Sequence, residues 1–176
     1  MISIELDALL SEYDRALAYT ESLIDGLNEE EIAWRPNDES SSIGWHLAHQ
    51  PAVAHFMLRN LTAAEPRLDP ALEALADSAT PERARGAVPA ITALSEFRTT
   101  VAIKVRTRIR LIAAGDVGAA TQMRAVASTL LVSLINHEYQ HDCWIGEVRH
   151  DALGHPLPPP PTSPLLTTLD GYLVIS

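Results

Sequence analysis

Two histidines four residues apart, in His137-Glu138-Tyr139-Gln140-His141, are the side chains of this sequence best suited to chemistry. On a helix, positions i and i+4 lie on one face a turn apart, so both imidazoles can reach a single metal ion. The surrounding pattern places the pair where a core is due: Leu130, Leu134, His137, His141 and Ile145 follow one another at spacings of four, three, four and four. Imidazoles in such positions need partners for their polar nitrogens, because an unpaired buried polar group costs free energy. A metal on one ring nitrogen and a hydrogen bond on the other satisfies both. The plainer alternative sets each ring at the edge of a bundle, bonded to water or backbone.

A second histidine group, Trp45-His46-Leu47-Ala48-His49, offers a third ligand. His46 and His49 are three apart and share one side of a helix, and periodicity does not choose between them; His55 falls further round. Glu138 is one step round from His137 and stands either beside the ligands or on a solvated face. Trp144, one turn after His141, walls the site or packs in the core. Tyr139 packs against a neighbouring helix, and Cys143 faces away from the metal as a small buried residue. Three neutral imidazoles leave a coordination position open, as catalytic sites do, whereas structural zinc sites are four-coordinate and closed.

Two other readings compete. One is a non-catalytic metal-binding bundle (sensor, carrier or structural site), for which a fourth protein ligand would argue. His-Glu-x-x-His is also the zinc metallopeptidase motif, with the glutamate as general base. Its extended form needs a glycine at position 144 and a histidine at 147, where this chain has Trp144 and Glu147. No strand precedes the motif to pair with a peptide.

The elements that must carry these residues are helices. Leu6, Leu9, Leu10, Tyr13, Leu17, Thr20, Ile24 and Leu27 predict an amphipathic helix from about Ser3 to Leu27. Asn28 to Glu39 reads as a loop. Serines 40 to 42 are cap candidates for a second helix, about Ser42 to Leu61, in which Pro51 removes one backbone donor and should kink the axis. Residues 62–88 read as a long crossover with short helical pieces, one opening at Thr80-Pro81-Glu82. A third helix carries Ile91, Leu94, Phe97, Val101, Val105, Ile109 and Ile112 and ends at Gly115. A fourth runs from about Ala119 to His150, with Met123, Val126, Leu130, Leu134, Ile145 and Val148 on one stripe. Four long helices with one long crossover define an all-α four-helix bundle over residues 1–155. Residues 156–176 form an extended tail. Pro156 and Pro158 to Pro161 make a polyproline stretch, and Leu165 to Ile175 is apolar and β-prone, packing on the bundle or on a partner subunit.

Composition sets the remaining limits. The 13 basic and 23 acidic side chains give a net charge of -10, which disfavours nucleic acid and anionic membranes, since both need clustered Lys and Arg. The single cysteine excludes an intrachain disulfide and suits a reducing cytoplasm. The N-terminal stretch lacks the basic start of a signal peptide, and no run of 18 apolar residues spans a membrane.

Ser42-Ile43-Gly44-Trp45-His46-Leu47-Ala48-His49, followed by the His-Glu-x-x-His pair, resembles the DinB superfamily of metal-binding four-helix bundles. The resemblance extends over roughly residues 3–150. It includes the Leu27-Asn28-Glu29-Glu30-Glu31-Ile32-Ala33-Trp34-Arg35-Pro36 connection. In that family the ligand of the second helix lies seven residues after the Ser or Thr that opens it, and Ser42 plus seven is His49. The resemblance therefore implies His49, His137 and His141 as ligands of one divalent ion (zinc, nickel or iron), with His46 beside them. Trp-His-Leu-Ala-His and His-Glu-Tyr-Gln-His-Asp look in local spelling like the DinB-type domain of the sulfoxide synthases of ergothioneine biosynthesis. The resemblance further implies a homodimer and a small-molecule substrate, with a low-molecular-weight thiol or water activated for transfer or hydrolysis.

Overall fold

The computed structural model describes residues 5–62, 65–116 and 124–175. The predicted helix start at Ser3, and the start of the fourth helix with Ala119 and Met123, lie outside them. Among the described residues six α-helices and a small hairpin follow in order, with a 3-10 turn at Glu82–Ala84: α1 (Leu6–Ile24), α2 (Glu29–Ala33), α3 (Ile43–Thr62), α4 (Pro70–Leu75), α5 (Ile91–Ala114), α6 (Val126–Glu147), β1 (Leu166–Leu169) and β2 (Tyr172–Ile175). The long helices α1, α3, α5 and α6 are the bundle. They pack chiefly as α1 on α6 and α3 on α5, with α6 touching α3 and α5. Leu9, Tyr13 and Leu23 of α1, Leu47 and Leu58 of α3, Leu94, Val101 and Ile109 of α5, and Leu131, Leu134 and Ile145 of α6 meet in one core.

Local chemistry fixes the ends of these elements. At the start of α3 the Ser42 hydroxyl accepts the Trp45 N–H at 3.1 Å, satisfying a donor that has no partner within the helix. The helix then runs continuously through Pro51. Gly115 closes α5 in the left-handed conformation, φ 81°, and its N–H and that of Asp116 turn back to the carbonyls of Ile112 and Leu111. After Glu147 the chain keeps winding as a wider π-helical turn, Val148–Ala152, so the helix outlasts the expected end at His150 by two residues.

One expectation needs correction. The segment read as a loop, Asn28 to Glu39, opens with the helix α2. Its signal is a reciprocal cap: the Asn28 side chain accepts from the N–H groups of Glu30 and Glu31, while the Glu31 carboxylate accepts from the Asn28 N–H. The tail, expected to be extended with a β-prone stretch over Leu165 to Ile175, ends in an antiparallel hairpin pairing Leu166 with Ile175 and Leu169 with Tyr172. Asp170 and Gly171 turn it with φ of 50° and 91°, the positive pair that a tight two-residue turn requires. A hairpin alone is marginal in water. Here β2 lies against α6, where the Ile175 N–H donates to Asn136 Oδ1 at 2.8 Å.

The approach to the hairpin is pinned by one buried cation. Arg149 donates to the carbonyls of Leu23 and Asp25, at the end of α1, and to that of Pro156 at 2.9 Å. It thereby satisfies carbonyls that the helix end leaves unpaired and fixes where the polyproline stretch departs. No helix among the described residues is long and apolar enough to cross a membrane.

Candidate metal centre

Helices α3 and α6 turn three imidazoles toward one point. The rings of His137 and His141 are 4.4 Å apart between centroids, His49 and His141 4.8 Å, and His49 and His137 5.3 Å. One ligand nitrogen from each lies within 4.8 Å of the others, a group that could hold a metal ion. His49 and His141 are buried and His137 is half-buried.

The donor chemistry fits a metal. The Ala76 carbonyl, 2.7 Å from His49 Nδ1, can only accept, so Nδ1 carries the proton and Nε2 keeps its lone pair. His46 stands outside the group of three, with its Nδ1 2.7 Å from Nδ1 of His141, one donating and the other accepting. That contact occupies one nitrogen of His141 and leaves Nε2 for a ligand bond. Burial disfavours the charged form of all four rings. It lowers His46 to about 3 and His137 to about 4, with the His49 ring adding to both. The same cause depresses His49, against a pull upward from the Ala76 carbonyl. His141 is depressed by burial and then by its three histidine neighbours. At neutral pH the rings are uncharged and their lone pairs are available.

A cavity of about 690 Å³ opens on this cluster. Trp45 and Trp144 form aromatic walls, His46, His49 and His141 the floor, and Arg85 reaches in from the crossover. His46 and Trp144 thus sit where a ligand entering the cavity would meet them. Glu138 does not line it. One step along α6 turns the Glu138 carboxylate inward, where it is buried against Arg98 of α5 at 3.3 Å. Neither a place beside the ligands nor a solvated face describes it, and the expectation is corrected accordingly.

That contact belongs to a closed polar layer running through all four long helices. Arg98 donates to Gln50 Oε1 at 2.8 Å; Gln50 donates to the Glu138 backbone carbonyl and to Asp142 Oδ1, both at 3.2 Å; Thr20 donates to Asp142 Oδ1 at 2.7 Å. Burial raises the pKa of Asp142 well above the usual range, the nearby Glu138 charge raises it further, and Thr20, Arg98 and Gln50 oppose the shift. Tyr139 packs in the core as expected, its hydroxyl donating to Glu12 at 2.8 Å. Cys143 is half-exposed rather than buried, with its sulfur 4.0 Å from Glu147. Sequence reasoning missed Arg98, Gln50 and Asp142. A faint signal existed, since Thr20 already occupied a core position of the first stripe.

A bundle of four long helices joined by a crossover, with histidines of α3 and α6 converging at one end of a cavity, defines a helical histidine-site protein. The DinB superfamily model matches residues 12–145, which spans α1 to α6, and the chain belongs to that superfamily. No curated protein matches it.

Proposed function

We propose that the chain binds one divalent metal ion, zinc, nickel or iron, through His49, His137 and His141. In this reading it is a metal-dependent enzyme that transfers or hydrolyses a small molecule with the help of a small thiol or water. The observation that carries the reading is the convergence of three neutral imidazoles, with no fourth His, Cys, Asp or Glu in the group among the described residues, two of which, His49 and His141, line a cavity sized for a small molecule. When bound, a divalent ion in such an open site supplies Lewis acidity that makes a bound thiol or water a stronger acid.

The protein's own residues would do the rest. His49 Nδ1 is tied to the Ala76 carbonyl, which fixes the tautomer that presents Nε2. Trp45 and Trp144 exclude water from two sides of the cavity and offer flat apolar surfaces to a substrate. His46 keeps one ring nitrogen on His141 and has the other for a hydrogen bond to a ligand. The placement of Glu138 favours this reading over a peptidase, because a carboxylate buried against Arg98 is not placed to take a proton from water at the histidines.

Metal analysis of untagged protein, followed by assays with a panel of low-molecular-weight thiols and electrophilic or hydrolysable small molecules, tests the proposal. A stoichiometric divalent ion lost in His141→Ala, together with thiol-dependent turnover, is the expected result. Protein that takes up no divalent ion would overturn it. Stoichiometric metal without turnover would leave a binding protein in place of an enzyme.

A further inference from the structure

Three contacts that place His49 come from outside the two helices carrying the histidines. Leu75 and Ala76, at the end of α4, present successive backbone carbonyls to α3: Leu75 accepts from Trp45 Nε1 at 3.1 Å and Ala76 from His49 Nδ1 at 2.7 Å. The Trp45 indole lies flat on the His49 imidazole, 4.4 Å between centroids and 17° between planes. The Arg85 guanidinium covers the Trp45 ring, 3.7 Å from its centroid. Guanidinium, indole and imidazole make one stack, and both the first member and the two carbonyls belong to the crossover.

Arg85 is itself held in place. It donates to Ser41 Oγ at 2.6 Å, to Glu82 at 3.2 Å and to the Thr80 carbonyl at 3.1 Å, and its side chain is 8 % exposed. Upstream, the crossover is moored on α3: His55, fully buried, lies between the carboxylates of Glu73 at 3.3 Å and Glu65 at 3.7 Å, and Arg59 donates to the Glu65 carbonyl. A segment fixed at both ends thus holds one nitrogen of the His49 ring directly and, through Arg85 and the Leu75 carbonyl, the Trp45 indole that covers its face.

Resting on the metal reading above, we propose that Trp45 and Arg85 are positioning residues for His49, so that the crossover and the metal site are coupled. Trp45 fixes the plane of the imidazole, Arg85 fixes Trp45, and the Ala76 carbonyl fixes the rotation of the ring about its own axis. A ligand held in the bonding orientation before the metal arrives loses less freedom on binding it. Linkage makes the coupling reciprocal: whatever the crossover contributes to metal affinity, bound metal returns as resistance of the crossover to opening. Cation–π contact and aromatic stacking provide the energy.

The test uses the full chain, zinc and cobalt(II), and four variants: Trp45→Leu, Trp45→Phe, Arg85→Gln and His137→Ala. Zinc affinity, read by competition with a chromophoric chelator, should fall roughly 10- to 100-fold in Trp45→Leu, the usual effect of losing a residue that orients a ligand. Trp45→Phe, which keeps a ring on the imidazole, should recover most of that loss, and Arg85→Gln should fall between the two. The visible spectrum of the cobalt(II) form should change shape in Trp45→Leu, because a displaced His49 alters the coordination geometry. Hydrogen exchange over residues 74–86 should slow when zinc binds the wild type. It should be faster in metal-free Trp45→Leu, and unchanged in metal-free His137→Ala. Wild-type zinc affinity and an unaltered cobalt spectrum in both Trp45→Leu and Arg85→Gln would overturn the positioning roles while leaving the metal reading intact. A wild type that binds no zinc would remove the metal reading itself. If Trp45→Leu fails to fold, Arg85→Gln and Trp45→Phe decide: a loss in the first and none in the second supports the stack, and no loss in either refutes it.

Discussion

Two faces of α6 carry polar side chains, and they are built to opposite ends. One face offers His137 and His141, with Trp144 a turn on. The other, a single residue away along the chain, offers Glu138 and Asp142. Each step on a helix rotates a side chain by about 100°, so neighbours in sequence point into different surroundings. The imidazole face is uncharged and keeps lone pairs without a protein hydrogen. The carboxylate face is buried and engaged: Arg98 donates to Glu138 Oε2, and Thr20 and Gln50 both donate to Asp142 Oδ1. Asp142 Oδ2 and Arg98 Nε have no hydrogen-bond partner among the described residues. The first arrangement tolerates incompleteness because a ligand can complete it. The second does not, because a buried charge with no partner is among the most costly features a core can hold. The motif His-Glu-x-x-His therefore means something here that its spelling alone does not convey: the glutamate serves the bundle, and the histidines serve the site.

The largest expected effect lies on the carboxylate face. Arg98→Ala strands Glu138 in the core and should cost about 3–5 kcal/mol of stability in denaturant melts, with or without metal. Replacing both partners, Arg98→Met with Glu138→Leu, should recover most of it. If Arg98→Ala is mild, the layer is more open to water than its burial indicates, and the contrast between the faces weakens.

The imidazole face should answer to metal and not to truncation. Zinc at about one hundred times its dissociation constant should stabilise the wild type by about 2.7 kcal/mol, and His137→Ala should erase that gain while melting near the metal-free wild type. Glu138→Gln should keep the gain although it starts from a lower baseline. A zinc response lost in Glu138→Gln but retained in His137→Ala would invert the assignment of the two faces.

A smaller effect follows from pH. Burial holds His46 at about 3 and His137 at about 4 in the folded protein, against an ordinary value of 6.5 that applies to the unfolded chain. Below pH 6.5 the unfolded chain therefore binds protons that the folded chain refuses. The stability these groups give the metal-free protein is complete above that pH and is lost as pH falls toward 4 and then 3. Urea melts of metal-free protein at pH 7.5, 6 and 5 should show the decline, and His46→Gln should flatten it. The smallest effect is expected at Cys143, which lies on neither face: Cys143→Ser should change stability by no more than about 0.5 kcal/mol and leave zinc affinity as it was. A drop in affinity would bring the thiol into the site.

Periodicity sufficed for the four long helices because each buries a stripe at regular spacing, and a stripe of this length is hard to mistake. Helix α2 escaped because five residues cannot display a period; only its Asn28–Glu31 cap marked it. The hairpin's β-prone residues were legible, and Asp170-Gly171 between them is the turn signal that pairs them. The histidines stood out because polar residues interrupted an apolar stripe. What no local pattern could show was the part played by the crossover. A backbone carbonyl such as that of Ala76 has no signature in residue type, and Arg85 lies far along the chain from the ring it serves. For the same reason the tie from Arg98 to Glu138 was invisible: a charge in a stripe announces a partner without naming it.

The bond from the Ile175 N–H to Asn136 has a practical bearing on metal work with this protein. It brings the end of β2 to α6 beside the residue that immediately precedes His137. A group on a short flexible tether beyond β2 would stay near α6 at an effective concentration on the order of millimolar. A polyhistidine tag placed there would offer competing imidazoles at that concentration and could load, strip or bridge the ion by itself. A purification handle at the other end of the chain, or one cleaved before metal analysis, keeps the stoichiometry a property of the bundle.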